Sequence, residues 1–264
     1  MKLHKWVSPS DLDWAYLSSN PNAIDLLRKN FKKINWFMLS SNPGAIELLR
    51  EYPDKIYWDK LSSNPNAIEL LTSNIENICW FSLSLNPKAM DLIMKNLDKI
   101  NWNLLSYNPS AIELLQANQD KINWTNLSEN PNAIELLTEN KNKIDWLWLS
   151  RNPNAMGLLM SNPHKIDHQI MNQNTNAMSW LSHNPHYIDW DGLSFNASAM
   201  ELIRDNKQKI NWKYASSNPA IFTYDYKRME QSTNLFKEKL MAAVFHPHRF
   251  ERYLTELNYD MNNL

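Results

Sequence analysis

A period of 22 residues dominates this chain of 264 residues. The stretch SSNPGAIELL at 40–49 returns almost unchanged at 62–71 and 128–137. An asparagine stands six residues after each of ten slots, and proline follows it in eight of them. The slots hold Trp14, Trp36, Trp58, Trp80, Trp102, Trp124, Trp146, His168, Trp190 and Trp212. Self-similarity at a fixed short period identifies a tandem-repeat architecture. Positions are counted below from this slot, so the asparagine is at +6.

The residues after the +6 asparagine predict a helix. Asparagine is a preferred N-cap because its side chain accepts a hydrogen bond from a free backbone N–H, and proline suits the first helical position. In the copy that starts at Asn64, the apolar Ala67, Ile68 and Leu71 share one helix face. This helix should run for about nine residues. A second asparagine at +16 should end it, because asparagine tolerates the left-handed conformation.

A shorter element precedes that helix in each copy. Asp or Asn stands before most tryptophans, as Asp13 and Asn101 do, and is a further N-cap. The motif W-x-x-L-S that follows is long enough for one helical turn or a 3₁₀ segment. An isoleucine two residues before each slot from Ile34 to Ile210 should fill the contact between copies.

One such copy cannot bury its apolar residues alone, so the copies must stack. The sequence therefore predicts an all-α fold, an α-solenoid of ten two-helix repeats over 13–220. Layers about 8–10 Å apart would give an open stack roughly 80–100 Å long. A leucine-rich-repeat horseshoe needs a strand of alternating leucines, which the run at 101–106 lacks. Residues 1–12, interpreted as out of register, should form an N-terminal cap. Residues 221–264 should form a C-terminal helical cap, with helices at 232–245 and 246–257.

Composition excludes several classes of function. The formal net charge is -1, which gives no hint of a nucleic-acid or anionic-membrane partner. The glycines Gly44, Gly157 and Gly192 are too dispersed for a phosphate-binding loop. Cys79 is the single cysteine, so no intrachain disulfide can form. The start of the chain has no signal-peptide core, and no apolar run approaches the ~18 residues of a membrane span. We expect a soluble intracellular protein without a cofactor.

Three features, two of which recur in every copy or nearly every copy, could have a function. The tryptophans could stack bases or sugars, but pairing with the leucine at +3 favours a core role. The +6 asparagines could read bases one by one, but a reading code varies between repeats and this position does not. His164 and His168 could hold a metal if both lay on one helix, but the frame places them in a connection. None of these predicts catalysis, and we expect no enzyme and no metal site.

The variable positions +1, +2 and +5 are the more informative ones. Positions +1 and +5 share a helix face, and apolar residues outside the repeat's core pattern can mark a binding surface. The alternative is that they pack between copies. The candidate protein-binding surface comprises Tyr16, Phe37, Phe81, Leu104, Tyr107, Leu147, Trp148, Phe195 and Tyr214.

The tandem W-x-x-L-S-x-N-P-x-A-I-x-L-L copies, closed by FHPHRFERYLTELNYD at 245–260, resemble short-repeat proteins of giant DNA viruses of amoebae, of the mimivirus type. The resemblance covers nearly the whole chain. It implies a viral origin, an interaction role, and a place in the host cytoplasm or the virion. The eighth copy departs most from the pattern, which puts a regular stack there in doubt. Its departures are His168, Met171, Asn172, Thr175 and Trp180.

These observations favour a non-enzymatic scaffold whose surface binds another protein of unknown identity. One alternative is a structural component of a virion or viral factory. Another is a nucleic-acid-binding repeat protein, if the lysines at +19 form a basic stripe. Those lysines, with Lys33 in the first copy, are Lys33, Lys55, Lys99, Lys121, Lys143, Lys165 and Lys209. The sequence leaves the oligomeric state open.

Overall fold

The computed structural model describes residues 1–227, 229–231, 233–234, 237 and 239. The chain divides into two compact units, Met1–Phe222 and Thr223–Leu264. The ten repeats lie in the first unit, which is helical as predicted. The predicted helix at 246–257 lies outside the described residues, as does most of the one at 232–245.

Each repeat opens with a short α-helix of four to six residues that starts at the tryptophan slot. The residue before the slot is the N-cap, and in seven repeats its side chain accepts a backbone N–H two or three residues into the helix, as predicted. These first helices are α1 (Trp14–Ser18), α3 (Trp36–Ser40), α5 (Trp58–Ser62), α7 (Trp80–Leu83), α9 (Trp102–Leu105), α11 (Trp124–Glu129), α13 (Trp146–Leu149), α15 (His168–Met171), α17 (Trp190–Phe195) and α19 (Trp212–Ser217).

The second α-helix of a repeat begins later than the sequence suggested. The +6 asparagine caps a single turn, which is a 3₁₀ helix at Pro21–Ala23 and Pro153–Ala155, and the α-helix starts only after the alanine. The second helices are α2 (Ile24–Lys29), α4 (Ile46–Glu51), α6 (Ile68–Thr72), α8 (Met90–Met94), α10 (Ile112–Gln116), α12 (Ile134–Glu139), α14 (Met156–Met160), α16 (Met178–His183) and α18 (Met200–Asp205).

The asparagine at +16 ends the second helix by a different means from the one predicted. Asn30 has φ -123° and ψ 44°, so it is not left-handed. Its side-chain Nδ2 instead donates to the carbonyl of Leu26 at 2.9 Å. Asn118 makes the same bond to Leu114, also at 2.9 Å. The side chain thus satisfies a carbonyl that the helix end would leave without a partner.

Three small or branched apolar residues form the centre of a repeat. In the fifth copy Leu105 at +3, Ala111 at +9 and Leu115 at +13 are fully buried. Ile122, two residues before the next slot, is 8% exposed and belongs to the same core. Trp102 is only partly buried against this core. The tryptophans therefore cover the core rather than form its centre.

The first unit closes into a ring, which the open-stack prediction did not anticipate. Helix α19 of the last repeat packs against α1 of the first. The Nδ2 of Asn20 donates to the carbonyls of Ser216 at 3.0 Å and Asn218 at 2.9 Å. Asn130 makes the equivalent bonds to Ser106 at 3.0 Å and Asn108 at 2.9 Å in the preceding repeat. The first and tenth repeats are thus joined as any neighbouring pair is.

The N-terminal residues complete the tenth repeat instead of capping a free end. Strand β1 (Lys2–Leu3) pairs with β2 (Phe222–Thr223). The N–H of Asp11 donates to the carbonyl of Ser8 at 3.0 Å, as Lys55 does to Tyr52. The motif SPSD at 8–11 is therefore in register with YPDK at 52–55, and our interpretation of it as out of register is wrong.

The eighth repeat keeps the regular backbone that its sequence put in doubt. Asn172 stands where other repeats have serine, and its Oδ1 accepts the N–H of Asp189 at 3.0 Å, as the serine hydroxyl does elsewhere. Gly192 of the next repeat packs closely against this residue. A Cβ at position 192 would lie 2.9 Å from the Cβ of Asn172.

Candidate interaction surface

A buried polar frame holds the first helices in place around the ring. In the fifth repeat the hydroxyl of Ser106 donates to the carbonyl of Trp102 at 2.9 Å and accepts the N–H of Asn123 at 3.0 Å. The oxygen of Asn130 accepts the N–H of Asn132 at 3.0 Å, while its Nδ2 bonds the preceding repeat. The +6 asparagine is therefore both a cap and a connector between repeats. This double use explains its invariance better than capping alone.

The first helices are also the inner layer of the ring. Neighbouring first helices pack directly against each other at most junctions, whereas the second helices contact mainly turns of their own repeat. In a closed ring of two layers, the more closely spaced layer lies inside. The side of each first helix that faces away from the core carries +1, +2 and +5, and so lines the inner wall.

The predicted surface residues are accessible. Phe37 is 40% exposed, Phe81 57% and Leu147 42%, and each stands at +1. Phe195 at +5 is 38% exposed. None of the nine is buried, and the remaining members are half-buried: Tyr16, Leu104, Tyr107, Trp148 and Tyr214.

Ring closure adds Tyr16 of the first repeat to Phe195 and Tyr214, which are neighbours in repeats nine and ten. The ring of Tyr214 stacks on that of Phe195, with centroids 4.3 Å apart and planes at 25°. Across the closure, Tyr16 meets Tyr214 edge-on at 6.1 Å. The ammonium of Lys213 lies 5.3 Å from the centroid of the Tyr16 ring. We call Tyr16, Phe195 and Tyr214 the closure cluster.

A second aromatic group lies on repeats two and three. The ring of Phe37 meets that of Tyr57 edge-on at 5.5 Å, and the ammonium of Lys60 lies 4.6 Å from the Phe37 centroid. Tyr57 occupies the N-cap position, where the consensus has Asp or Asn, and it is 49% exposed. Sequence reasoning missed it because only +1, +2 and +5 were considered. The loss of a capping residue at that position was the available signal.

Most charged residues on this face contact an opposite charge, an amide or an aromatic ring, and Asp59 at +1 is an exposed exception. Arg151 Nη1 lies 2.8 Å from Glu129 Oε1, both at +5. Burial raises the pKa of Glu129, although Arg151 acts in the opposite direction. Burial also raises the pKa of the neighbouring Tyr107 phenol. The Nδ2 of Asn211 donates to Asp191 at 2.9 Å. The face presents aromatic and aliphatic groups with little net charge.

In most repeats the lysine at +19 lies over the ring of the tryptophan in the same repeat. The ammonium of Lys121 lies 4.4 Å from the centroid of the Trp102 ring, a cation–π contact. Lys55 instead lies 3.1 Å from the carboxylate of Asp54. The same lysine–tryptophan contact, at 4.3–4.9 Å, joins Lys33 to Trp14, Lys99 to Trp80, Lys143 to Trp124, Lys165 to Trp146 and Lys209 to Trp190.

The histidines of the eighth repeat also form an aromatic contact. His168 stacks on Tyr187 with centroids 3.8 Å apart and planes at 8°, and both lie beside Trp180. Tyr187 stands at +19, so an aromatic pair replaces the usual lysine and tryptophan. His164 lies in the separate 3₁₀ turn Pro163–Lys165. Within the described residues, no three His, Cys, Asp or Glu side chains are grouped closely enough to bind a metal ion.

Comparison of the chain with protein-family models, with curated proteins and with solved structures found no match. In the part of the chain that the structure describes, no helix has the length and hydropathy to cross a membrane.

Proposed function

We propose that the protein is a non-enzymatic interaction scaffold that binds another protein through the inner face of its ring. The observation that carries this proposal is the contrast between the two sets of positions. The +3, +6, +9 and +13 positions repeat and are buried, whereas +1, +2 and +5 vary and are accessible. Accessible apolar groups on a rigid frame are typical of interfaces.

The binding energy should come from the aromatic groups. Tyr, Trp and Arg are enriched among the residues that dominate protein interfaces. The closure cluster supplies two tyrosines and a phenylalanine within one contact network, and Trp148 and Tyr107 lie on the same face. The cluster is complete only in the closed ring, so the binding surface depends on closure.

Nucleic-acid binding is less well supported than protein binding. The seven +19 lysines are exposed, and each lies beside a tryptophan ring or a carboxylate. The formal net charge of -1 gives the chain no excess of positive charge with which to attract a phosphate backbone. A role as a structural component of a virion would use the same inner face. The resemblance to giant-virus proteins makes infected amoebae the first place to look for the partner.

Photo-crosslinking tests the proposed surface. Benzoylphenylalanine replaces Phe81 in one variant and Ile75 in another. These two residues are equally exposed, at 57%, but only Phe81 lies on the inner face. We expect defined adducts with a partner from position 81 and none from 75. Equal adducts from both positions, or none from 81, would contradict the proposal.

A second measurement tests the energetics of the same face. The triple variant Phe37→Ser, Phe81→Ser, Leu147→Ser removes three exposed side chains and should retain its circular dichroism spectrum. Affinity for the crosslinked partner should fall at least about thirtyfold, because one interface hot spot contributes ~2 kcal/mol or more. The matched control is Ile75→Ser, Met94→Ser, Leu97→Ser, which alters exposed apolar residues away from this face.

A further inference from the structure

The tenth repeat is assembled from two segments that are far apart in sequence. Its first half is α19 with the 3₁₀ turn Pro219–Ile221. After this turn the chain forms β2 (Phe222–Thr223), at the position where repeat nine has the start of α18 (Met200–Asp205). Residues 2–12 fill the position of the second half. This is the one place in the ring where consecutive structural units are not joined by the backbone.

The contacts that hold residues 2–12 have the form of peptide recognition. The N–H of His4 donates to the carbonyl of Ile221 at 3.0 Å, next to the β1–β2 pair. Pairing of an extended segment with an exposed backbone edge, with side chains in adjacent pockets, is a recurrent mode of peptide binding.

Two kinds of side chain anchor the segment. Val7 and Leu12 are each 6% exposed and belong to the core. Trp6 packs on Trp212 with ring centroids 6.2 Å apart. At six other junctions a lysine covers the equivalent tryptophan, whereas here Asp11 stands at that position and Trp6 is the cover. The segment therefore fits its site by specific contacts rather than by position in the chain alone.

The link between the anchors is a separate exposed turn. Ser8, Pro9, Ser10 and Asp11 are all exposed, and the side-chain hydrogen bonds of Ser8 and Ser10 join residues of this same turn. The turn thus separates residues 2–7, which contact the tenth repeat, from Leu12 and Asp13, which directly precede α1.

We propose that the half-built tenth repeat is a peptide-binding site, occupied by residues 2–7 of the same chain and able to bind the same segment of a second copy. Its ligand is an extended K-L-x-K-W-V peptide: two strand residues, then a tryptophan and an aliphatic residue. Exchange of identical elements between copies retains every contact and is a common route to dimers. The attached segment has a high effective concentration, so it should exclude a free peptide until it is displaced.

Peptide binding to the full chain tests this site. The full-length variant Trp6→Ala, Val7→Asp should leave the site empty and bind a fluorescent peptide of residues 1–12 saturably. Wild-type chain should bind it at least about tenfold more weakly, because its own segment competes. The peptide carrying the same two substitutions should not bind. A folded variant that fails to bind the wild-type peptide would overturn the proposal.

A second experiment keeps the native segment and so does not depend on folding of that variant. A protease site is introduced in the exposed turn 8–11 of the full chain, and the folded protein is cut. We expect the released segment to co-elute with the ring and to be chased by excess labelled peptide. Immediate loss of the segment, or a segment that excess peptide never displaces, would refute an exchangeable site.

Discussion

The junction between repeats five and six and the junction that closes the ring make the same contacts by different routes. At the first, the backbone runs continuously from Leu115 through the turn Gln119–Lys121 to Trp124. At the second, Asp13 and Asn20 meet Ser216 across more than 190 residues of sequence. The hydrogen bonds agree within about 0.1 Å. The contact surface of a repeat, rather than the covalent connection of the chain, therefore determines which repeat packs against it.

The largest effect is expected from the asparagine that joins neighbouring repeats. Asn130→Ala removes three hydrogen bonds and leaves the Ser106 carbonyl and the Asn132 N–H without these partners, while the Asn108 carbonyl keeps the N–H of Ala111. We expect a loss of about 3 kcal/mol or more, since each unsatisfied buried group costs about 1–3 kcal/mol. Urea unfolding measures it.

Asn20→Ala then distinguishes a closed ring from an open one. In the closed ring it should cost as much as Asn130→Ala, because its bonds are the same. In an open stack it would lose only the bond to Asn22, a capping loss of about 1 kcal/mol. If Asn20→Ala lowered the free energy of unfolding much less than Asn130→Ala does, the ring would not be closed in solution.

Truncation of one buried side chain in residues 2–12, which complete repeat ten, should cause the next largest loss of stability. Leu12→Ala should cost about 2–3 kcal/mol, within the range for buried aliphatic truncations. Ile122→Ala, at the equivalent position between repeats five and six, is the matched control. Equal shifts in the unfolding midpoint are expected. A shift for Ile122 alone would mean that residues 1–12 are not packed in solution.

The pair Asn172 and Gly192 tests how strictly neighbouring repeats constrain each other. Gly192→Ala should cost about 1–3 kcal/mol by overpacking, because its Cβ would lie 2.9 Å from the Cβ of Asn172. Adding Asn172→Gly, which removes the contacting Cβ, should make Gly192→Ala cost less than it does in the wild-type background. A double-mutant cycle in urea measures the coupling, and strict additivity would show that the two residues act independently.

The smallest loss of stability is expected from changes to the side chains that pack over the tryptophan rings. Lys121→Met keeps the aliphatic stem over Trp102 and removes the charge, so it should cost about 0.5–1 kcal/mol. Trp6→Phe at the closing junction should keep an aromatic cover on Trp212 with little loss beyond reduced area. Thermal melts in low salt compare the two. A neutral Lys121→Met would show that the lysine stem alone protects the ring.

The fold was predictable because its determinants are local. In the fifth copy, Asn101 caps the helix that starts at Trp102, and the Asn-Pro pair at 108–109 starts the next helical segment. The equivalent residues predict two helical segments in the other copies. The late start of the second helix was not evident, because a 3₁₀ turn and an α-helical turn accept the same Asn-Pro start. The end at Asn30 depends on a side-chain bond that competes with left-handed geometry, and propensity alone does not decide between them.

Closure was harder to predict because an open stack uses the same contacts between neighbours. The signal was present in the register of SPSD at 8–11 with YPDK at 52–55, which places an incomplete repeat before the first tryptophan. The candidate surface was identified from its variability, and four of its nine residues are exposed while five are half-buried. The proximity of Tyr16 to Tyr214 could not be found without closure, since they lie in the first and last repeats.

Ring closure also limits how the gene can change. An open solenoid can gain or lose a copy through recombination, because each copy contacts only its neighbours. Ten copies in one full turn rotate by about 36° each, so an eleventh would require every junction to adopt a new angle or the ends to separate. Separation would undo the pairing of β1 with β2 and the burial of Leu12. Copy number should therefore be inherited as a fixed property, and divergence should accumulate in the variable positions instead.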